Sequence, residues 1–209
     1  IHAGAAGEAH VEVTKRARSG FFGGGTEIEL EKAQVSVAQE GDVISIITRY
    51  DGAITGRHVT VDVAVVCPAQ VTLDIQLNAG TLDVSGTSGP VKAQLNAGTA
   101  DLNAVVVGDG SSFDVNAGTV NVQGALAAGA SISAEVNAGT LRLRLPQNTA
   151  AQVDGVAQAG SISVSGWTLN EQHSIMRQQV SGTLNPSSER ANGTLRLRVN
   201  AGSVSLIAQ

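Results

Sequence analysis

The segment "QLNAGTLDVSG", residues 76–86, returns as "QLNAGTADLN" at residues 94–103. The flanks drift between copies while Asn-Ala-Gly is kept, so the triplet answers a demand that its neighbours do not share. Its glycines fall at Gly80, Gly98, Gly118, Gly139, Gly160 and Gly202, with spacings of 18, 20, 21, 21 and 42 residues. The last gap reads as two periods, with Gly182 of "VSGTL" near its middle. A repeat of about 20 residues predicts units stacked in one dimension, each supported by those on either side.

Apolar residues alternate on both sides of the triplet. Before it run Leu73, Ile75, Leu77, then Val91, Ala93, Leu95, then Phe113, Val115, and later Ile132, Ala134, Val136 and Leu195, Leu197, Val199. After it come pairs such as Leu82 and Val84, Val120 and Val122, Leu141 and Leu143, Val204 and Leu206. Polar residues fill the places between, with Asp83, Asp101, Asn121, Arg142 and Ser163 in one outward row. Period two is the strand signal, so each unit is predicted to run strand, corner, strand, corner.

A corner between short strands calls for positive φ, which Gly adopts freely and Asn more readily than other residues. Stacking at the ~4.8 Å strand spacing then predicts a ladder of corner glycines flanked by a column of side-chain amides. The column comprises Asn78, Asn96, Asn116, Asn137 and Asn200, with Gln158 as its variant member. No unit can stand alone, because its few inward aliphatics return less than the backbone entropy of ordering it.

Composition agrees with a thin aliphatic core. Aromatic residues make up 2% of the 209 residues, whereas glycine reaches 25. Net charge is −5, and the basic residues are scattered apart from Lys15-Arg16-Ala17-Arg18 and the pairs Arg142/Arg144 and Arg196/Arg198, which argues against nucleic-acid binding. No run approaches the ~18 apolar residues of a membrane span. Ile1 rather than Met opens the sequence, as expected of a processed or trimmed chain. Cys67, the only cysteine, lies in the apolar run "VAVVCPAQV" and reads as a packing thiol.

Residues 1–66 break the period and are predicted to form an antiparallel β cap, with a turn at "SGFFGGG" (19–25) and strands in "TEIELEKAQVSVAQ" and "DVISIITRY". Residues 67–209 carry the repeats. Within them, 166–194 is irregular and holds Trp167 and Met176, so a hairpin covering the last unit is expected there. Trp167 either packs that cap or forms a ligand platform.

Candidate chemistry is sparse. His2, His10, His58 and His173 lack paired metal-ligand spacing, no Gly-x-Ser-x-Gly elbow is present, and Gly23-Gly24-Gly25 lacks the Lys-Ser/Thr of a phosphate loop. Asp83 and Asp101 sit at equivalent outward positions one period apart, a spacing open to a glycosidase-type pair, but the row continues as Asn121, Arg142 and Ser163 and reads rather as a solvated face with complementary charges. Asn192-Gly193-Thr194 is a sequon in a host that glycosylates exported proteins and otherwise a turn.

The stretch "VDVAVVCPAQVTLDIQLNAGTLDVSGTSGPVKAQLNAGTADL", with "FDVNAGTVNV", "AEVNAGTLRL" and a final "GTLRLRVNAGSVSL", resembles the adhesin family of bacterial and archaeal β-strand repeats over about residues 35–209. The resemblance implies a β-solenoid, exported or membrane-anchored and facing outward, with no catalytic residues to carry over. The expectation is thus an all-β, single-domain, β-helix-like solenoid with coils of about 20 residues. It would be a non-enzymatic structural or adhesion protein outside the cytoplasm, without cofactor or metal, with a cell-surface or glycan receptor as partner. Head-to-tail homopolymerisation through residues 1–10 is one expectation for the N-terminal segment, and packing on its own chain is the other. An envelope-stress binding module and a carbohydrate-active β-helix enzyme stay open as alternatives.

Overall fold

A computed structural model describes residues 1–5, 7–17, 30–50, 59–174, 177–186 and 193–209. The turn expected at 19–25, His58, Met176 and Asn192 lie outside the described residues. The fold is all-β, and the chain separates into two compact units, 1–8 with 67–209 and 9–66.

The larger unit is built from strand–corner–strand rungs. In chain order the paired strands are Leu73–Leu77 with Thr81–Ser85 (rung 1), Val91–Leu95 with Thr99–Val107 (rung 2), Ser111–Val115 with Thr119–Leu126 (rung 3), Ser131–Val136 with Thr140–Leu145 (rung 4), Ala151–Ala157 with Ser161–Ser165 (rung 5) and Gly193–Val199 with Ser203–Ala208 (rung 6). First strands of successive rungs pair in parallel and so do second strands, giving two sheets joined at the Asn-Ala-Gly corners. Period-two patterning marks the core-facing residues: Val91, Ala93, Leu95, Phe113, Val115, Leu141 and Leu143 are buried, and the residues between them face outward. Thr99–Val107 breaks the alternation at Asn103 and Ala104, where the register shifts and Ala104 has φ 53°. The inward side chains of both sheets form one apolar cluster.

Rung order in space departs from chain order. Rung 6 lies between rungs 4 and 5: Leu195 and Leu197 pair with Ile132 and Ala134 on one side and with Val153 and Gly155 on the other. Its second strand is likewise held between Thr140–Leu145 and Ser161–Ser165. The expected serial stack with a missing period at Gly182 is therefore corrected. Gly182 is no corner but sits inside Arg177–Leu184, a strand antiparallel to Ala151–Ala157. In this order Asn200 continues the carboxamide column from Asn137.

The corner triplet also behaves differently from the expectation. Gly80, Gly98 and Gly118 have φ of 122°, 118° and 154°, but the asparagines of the triplet are not among the residues at positive φ. What glycine supplies at most corners is proximity. A Cβ on Gly139 would lie 2.6 Å from the Gly118 carbonyl oxygen, one on Gly202 would lie 2.3 Å from that of Gly139, and one on Gly160 would lie 2.3 Å from that of Gly202. Each rung's corner thus rests directly on the backbone of the one before it, in the order that inserts rung 6.

Both ends of the stack carry added strands. Ile1–Gly4, expected to belong with the antiparallel cap, instead joins the rung unit. Ile1 donates from its amino group to the Asp83 carbonyl at 2.5 Å, the Ser85 N–H donates to the Ile1 carbonyl at 2.8 Å, and His2 pairs in parallel with Ser85. The segment therefore packs on its own chain. At the far end, the expected hairpin is present: Asn170–Ser174 and Arg177–Leu184 are antiparallel to each other, and the second lies against rung 5. The Gln178 side chain then reaches the other sheet and hydrogen-bonds both backbone groups of Ile162.

The smaller unit is antiparallel, as predicted for this part of the chain. His10–Ala17 pairs with Val59–Pro68, and Ala33–Glu40 pairs with Val43–Tyr50 through a two-residue turn at Gly41-Asp42, with Gly41 at φ 59°.

Candidate functional site

The predicted amide column is continuous over five rungs. Asn96 Nδ2 donates to Asn78 Oδ1 at 2.7 Å, Asn116 to Asn96 at 2.7 Å, Asn137 to Asn116 at 2.7 Å and Asn200 to Asn137 at 2.6 Å. Every bond points the same way, so within the ladder Asn78 only accepts and Asn200 only donates. Gln158 sits one rung further, its N–H donating to the Val199 carbonyl at 2.8 Å. The corner residues expected from the sequence are thus brought together as a structural element.

Asp83 and Asp101 pair in register on adjacent rungs. Asn121 Nδ2 donates to Asp101 Oδ1 at 2.6 Å, and Arg142 Nη1 donates to Asn121 Oδ1 at 3.4 Å, so from Asp101 to Arg142 the row is a chain of complementary polar contacts. Ser205 then intervenes before Ser163, which donates to it at 3.0 Å. The two arginine pairs lie on different sheets, Arg142 and Arg144 on second strands, Arg196 and Arg198 on first strands.

Cys67 is buried, its thiol 3.9 Å from the His2 carbonyl oxygen, and burial pushes the thiol pKa up against a smaller opposing pull from the terminal ammonium. His2 Nδ1 lies 2.6 Å from Ser85 Oγ, and His173 lies 3.4 Å from Glu171. Among the described residues, no three metal-ligating side chains gather.

Of the two roles the sequence offered Trp167, the structure shows the packing one. The turn after rung 5, with Gly166 at φ 89°, brings the indole against the apolar cluster, and its Nε1–H donates to the Gln147 carbonyl at 3.2 Å. Gln147 answers through its own side chain, donating from Nε2 to the Gly166 carbonyl at 2.8 Å. This reciprocal clamp fixes the aromatic ring in the wall of an open groove of about 740 Å³, lined also by Asn148, Thr168, Thr183 and Asn185. Thr183 is held by donating to Gln152 Oε1 at 2.8 Å.

Sequence reasoning reached Trp167 but not its polar partners. They come from the turn after rung 4 and the hairpin after rung 5, segments without the repeat and with no local signal that they meet.

No protein-family model, no curated protein and no solved structure matches this chain.

Proposed function

We propose that this chain is a β-solenoid acting at the cell surface or outside the cell, as a structural or adhesive element without catalytic chemistry and related to the adhesin-type β-strand repeats. The observation that carries the reading is the unbroken Asn78–Asn96–Asn116–Asn137–Asn200 ladder over stacked corner glycines. Such columns stiffen a stack by hydrogen bonds directed along it, while its outer rows remain available for contact. A rigid body with repeated outward rows suits holding or bridging better than enclosing a reacting substrate.

Head-to-tail assembly into a filament belongs to the same reading. Among the described residues the sheet of first strands ends in Leu73–Leu77 on one side and Asn170–Ser174 on the other, and these terminal strands are the edges a second copy would pair with.

The test is antibody labelling of intact, unpermeabilised native cells and their culture fluid, paired with an attachment assay on cells lacking the protein. Labelling outside the permeability barrier and weakened attachment are expected. Signal confined to lysed cells would overturn the proposal.

A further inference from the structure

We propose that the groove walled by Trp167 binds a neutral carbohydrate chain. The inference rests on the reading of the protein as a non-catalytic surface scaffold and names the ligand class such a scaffold would hold.

A sugar ring presents an apolar C–H face edged by hydroxyl groups that both donate and accept. The groove offers the complement of each. Trp167, half-buried, supplies an apolar ring, and Gln147, Asn148, Thr168 and Thr183 supply amides and hydroxyls, which can donate and accept in turn. Among the described residues no Asp, Glu, Lys, Arg or His lines the groove, which favours a neutral glycan over a carboxylated or sulfated one. The volume falls within the ~300–1,000 Å³ typical of ligand sites, and its open form suits a chain laid along it rather than a small molecule enclosed.

Preorganisation strengthens the case. The indole is packed on one side against the apolar cluster, and its N–H is engaged by the Gln147 carbonyl, so the ring need not be ordered on binding. Gln147 itself is fixed twice more, through its side chain to Gly166 and through its N–H to the Gln209 carbonyl at 3.1 Å. The aromatic wall and its polar neighbours thus come from three segments held at fixed spacing.

Trp167 is the only tryptophan, so the full chain gives a single indole N–H resonance. Titration with cellohexaose, maltohexaose and chitohexaose, with polygalacturonate and a polyproline peptide as contrasts, should shift that resonance saturably for at least one neutral hexasaccharide. Trp167→Ala should weaken binding at least tenfold. Because the indole also packs the core, Thr168→Arg is the second variant: Thr168 is exposed, lines the groove and is not part of the cluster, so a bulky charged side chain there obstructs the groove from outside the core. It should weaken binding as much while leaving the rest of the spectrum unchanged. An indole resonance unmoved by every neutral sugar, one moved only by polygalacturonate or polyproline, or an affinity that Thr168→Arg leaves intact would each overturn the proposal. New reducing ends generated from a bound sugar would instead overturn the non-catalytic reading and leave the groove standing.

Discussion

The carboxamide of Gln178 closes on both backbone groups of Ile162, its Nε2 donating to the carbonyl at 2.7 Å and its Oε1 accepting from the N–H at 2.9 Å. A side chain here takes the place of a neighbouring strand. Ile162 belongs to Ser161–Ser165, the terminal strand of its sheet, and an exposed strand edge is a template for pairing with another chain. Gln178→Ala should therefore act twice. Stability should fall by about 1–3 kcal/mol, the usual consequence of stranding part-buried polar groups. Self-association should also rise with concentration in sedimentation velocity. A variant as monomeric and as stable as the parent would show that this edge is guarded by something else.

The amide ladder makes a positional prediction. Asn116 is internal, donating to Asn96 and accepting from Asn137, whereas Asn78 is terminal and only accepts. At about 0.5–1.5 kcal/mol for each hydrogen bond, Asn116→Ala should cost about 1–3 kcal/mol and Asn78→Ala about half as much. Urea denaturation at unchanged m-value measures both. Equal losses would mean that the asparagines act as independent corner residues rather than as a connected column.

How much of this was legible beforehand follows from where the repeat speaks. Alternation around Asn-Ala-Gly marked Leu95, Val120, Leu141 and Val204 as inward, and all are buried, because a half-buried strand leaves that pattern wherever it occurs. The place of rung 6 was not legible. Nothing local distinguishes a rung that follows its predecessor in space from one inserted a layer earlier, since each needs only the same parallel register. Gln178 and Gln147 were silent for another reason: each acts on a backbone group distant in the chain, and single polar residues in irregular segments carry no period.

Asp114 supplies a pH test. Asp114 faces outward, yet partial desolvation by its neighbours, and then the Glu135 carboxylate, raise its pKa above the ordinary value, and the two residues pair in register on adjacent rungs with Arg198 beyond Glu135 in the same row. For an acid the sign is clear. A raised folded-state pKa means that the native state binds the proton more tightly than the unfolded chain, so the ionised group opposes folding above that pKa. The penalty disappears as pH falls below the ordinary aspartate value of about 3.9. Asp114→Asn should accordingly be more stable than the parent at pH 7, by an amount that shrinks to zero on acidification. Parallel stability curves for the two proteins between pH 7 and pH 3 would refute the assignment.

The corner glycines separate two reasons for the same residue. Gly80 begins the column, with φ at 122° and nothing within 4 Å of where a Cβ would be. Alanine there meets only backbone strain, of about 1–3 kcal/mol. Gly139 has no such φ, yet its Cβ would fall 2.6 Å from the Gly118 carbonyl oxygen and 2.6 Å from Val115 Cγ1. The carbonyl cannot retreat, because it accepts from the Thr140 N–H at 2.8 Å and so helps fix the spacing between rungs. Gly139→Ala must push two layers apart, breaking ladder bonds on both sides of the corner, and should cost more than Gly80→Ala despite its easier backbone. Thermal unfolding of the two variants side by side decides the matter: if Gly80→Ala is the more damaging, the glycines are kept for their conformation and not for the contact between layers.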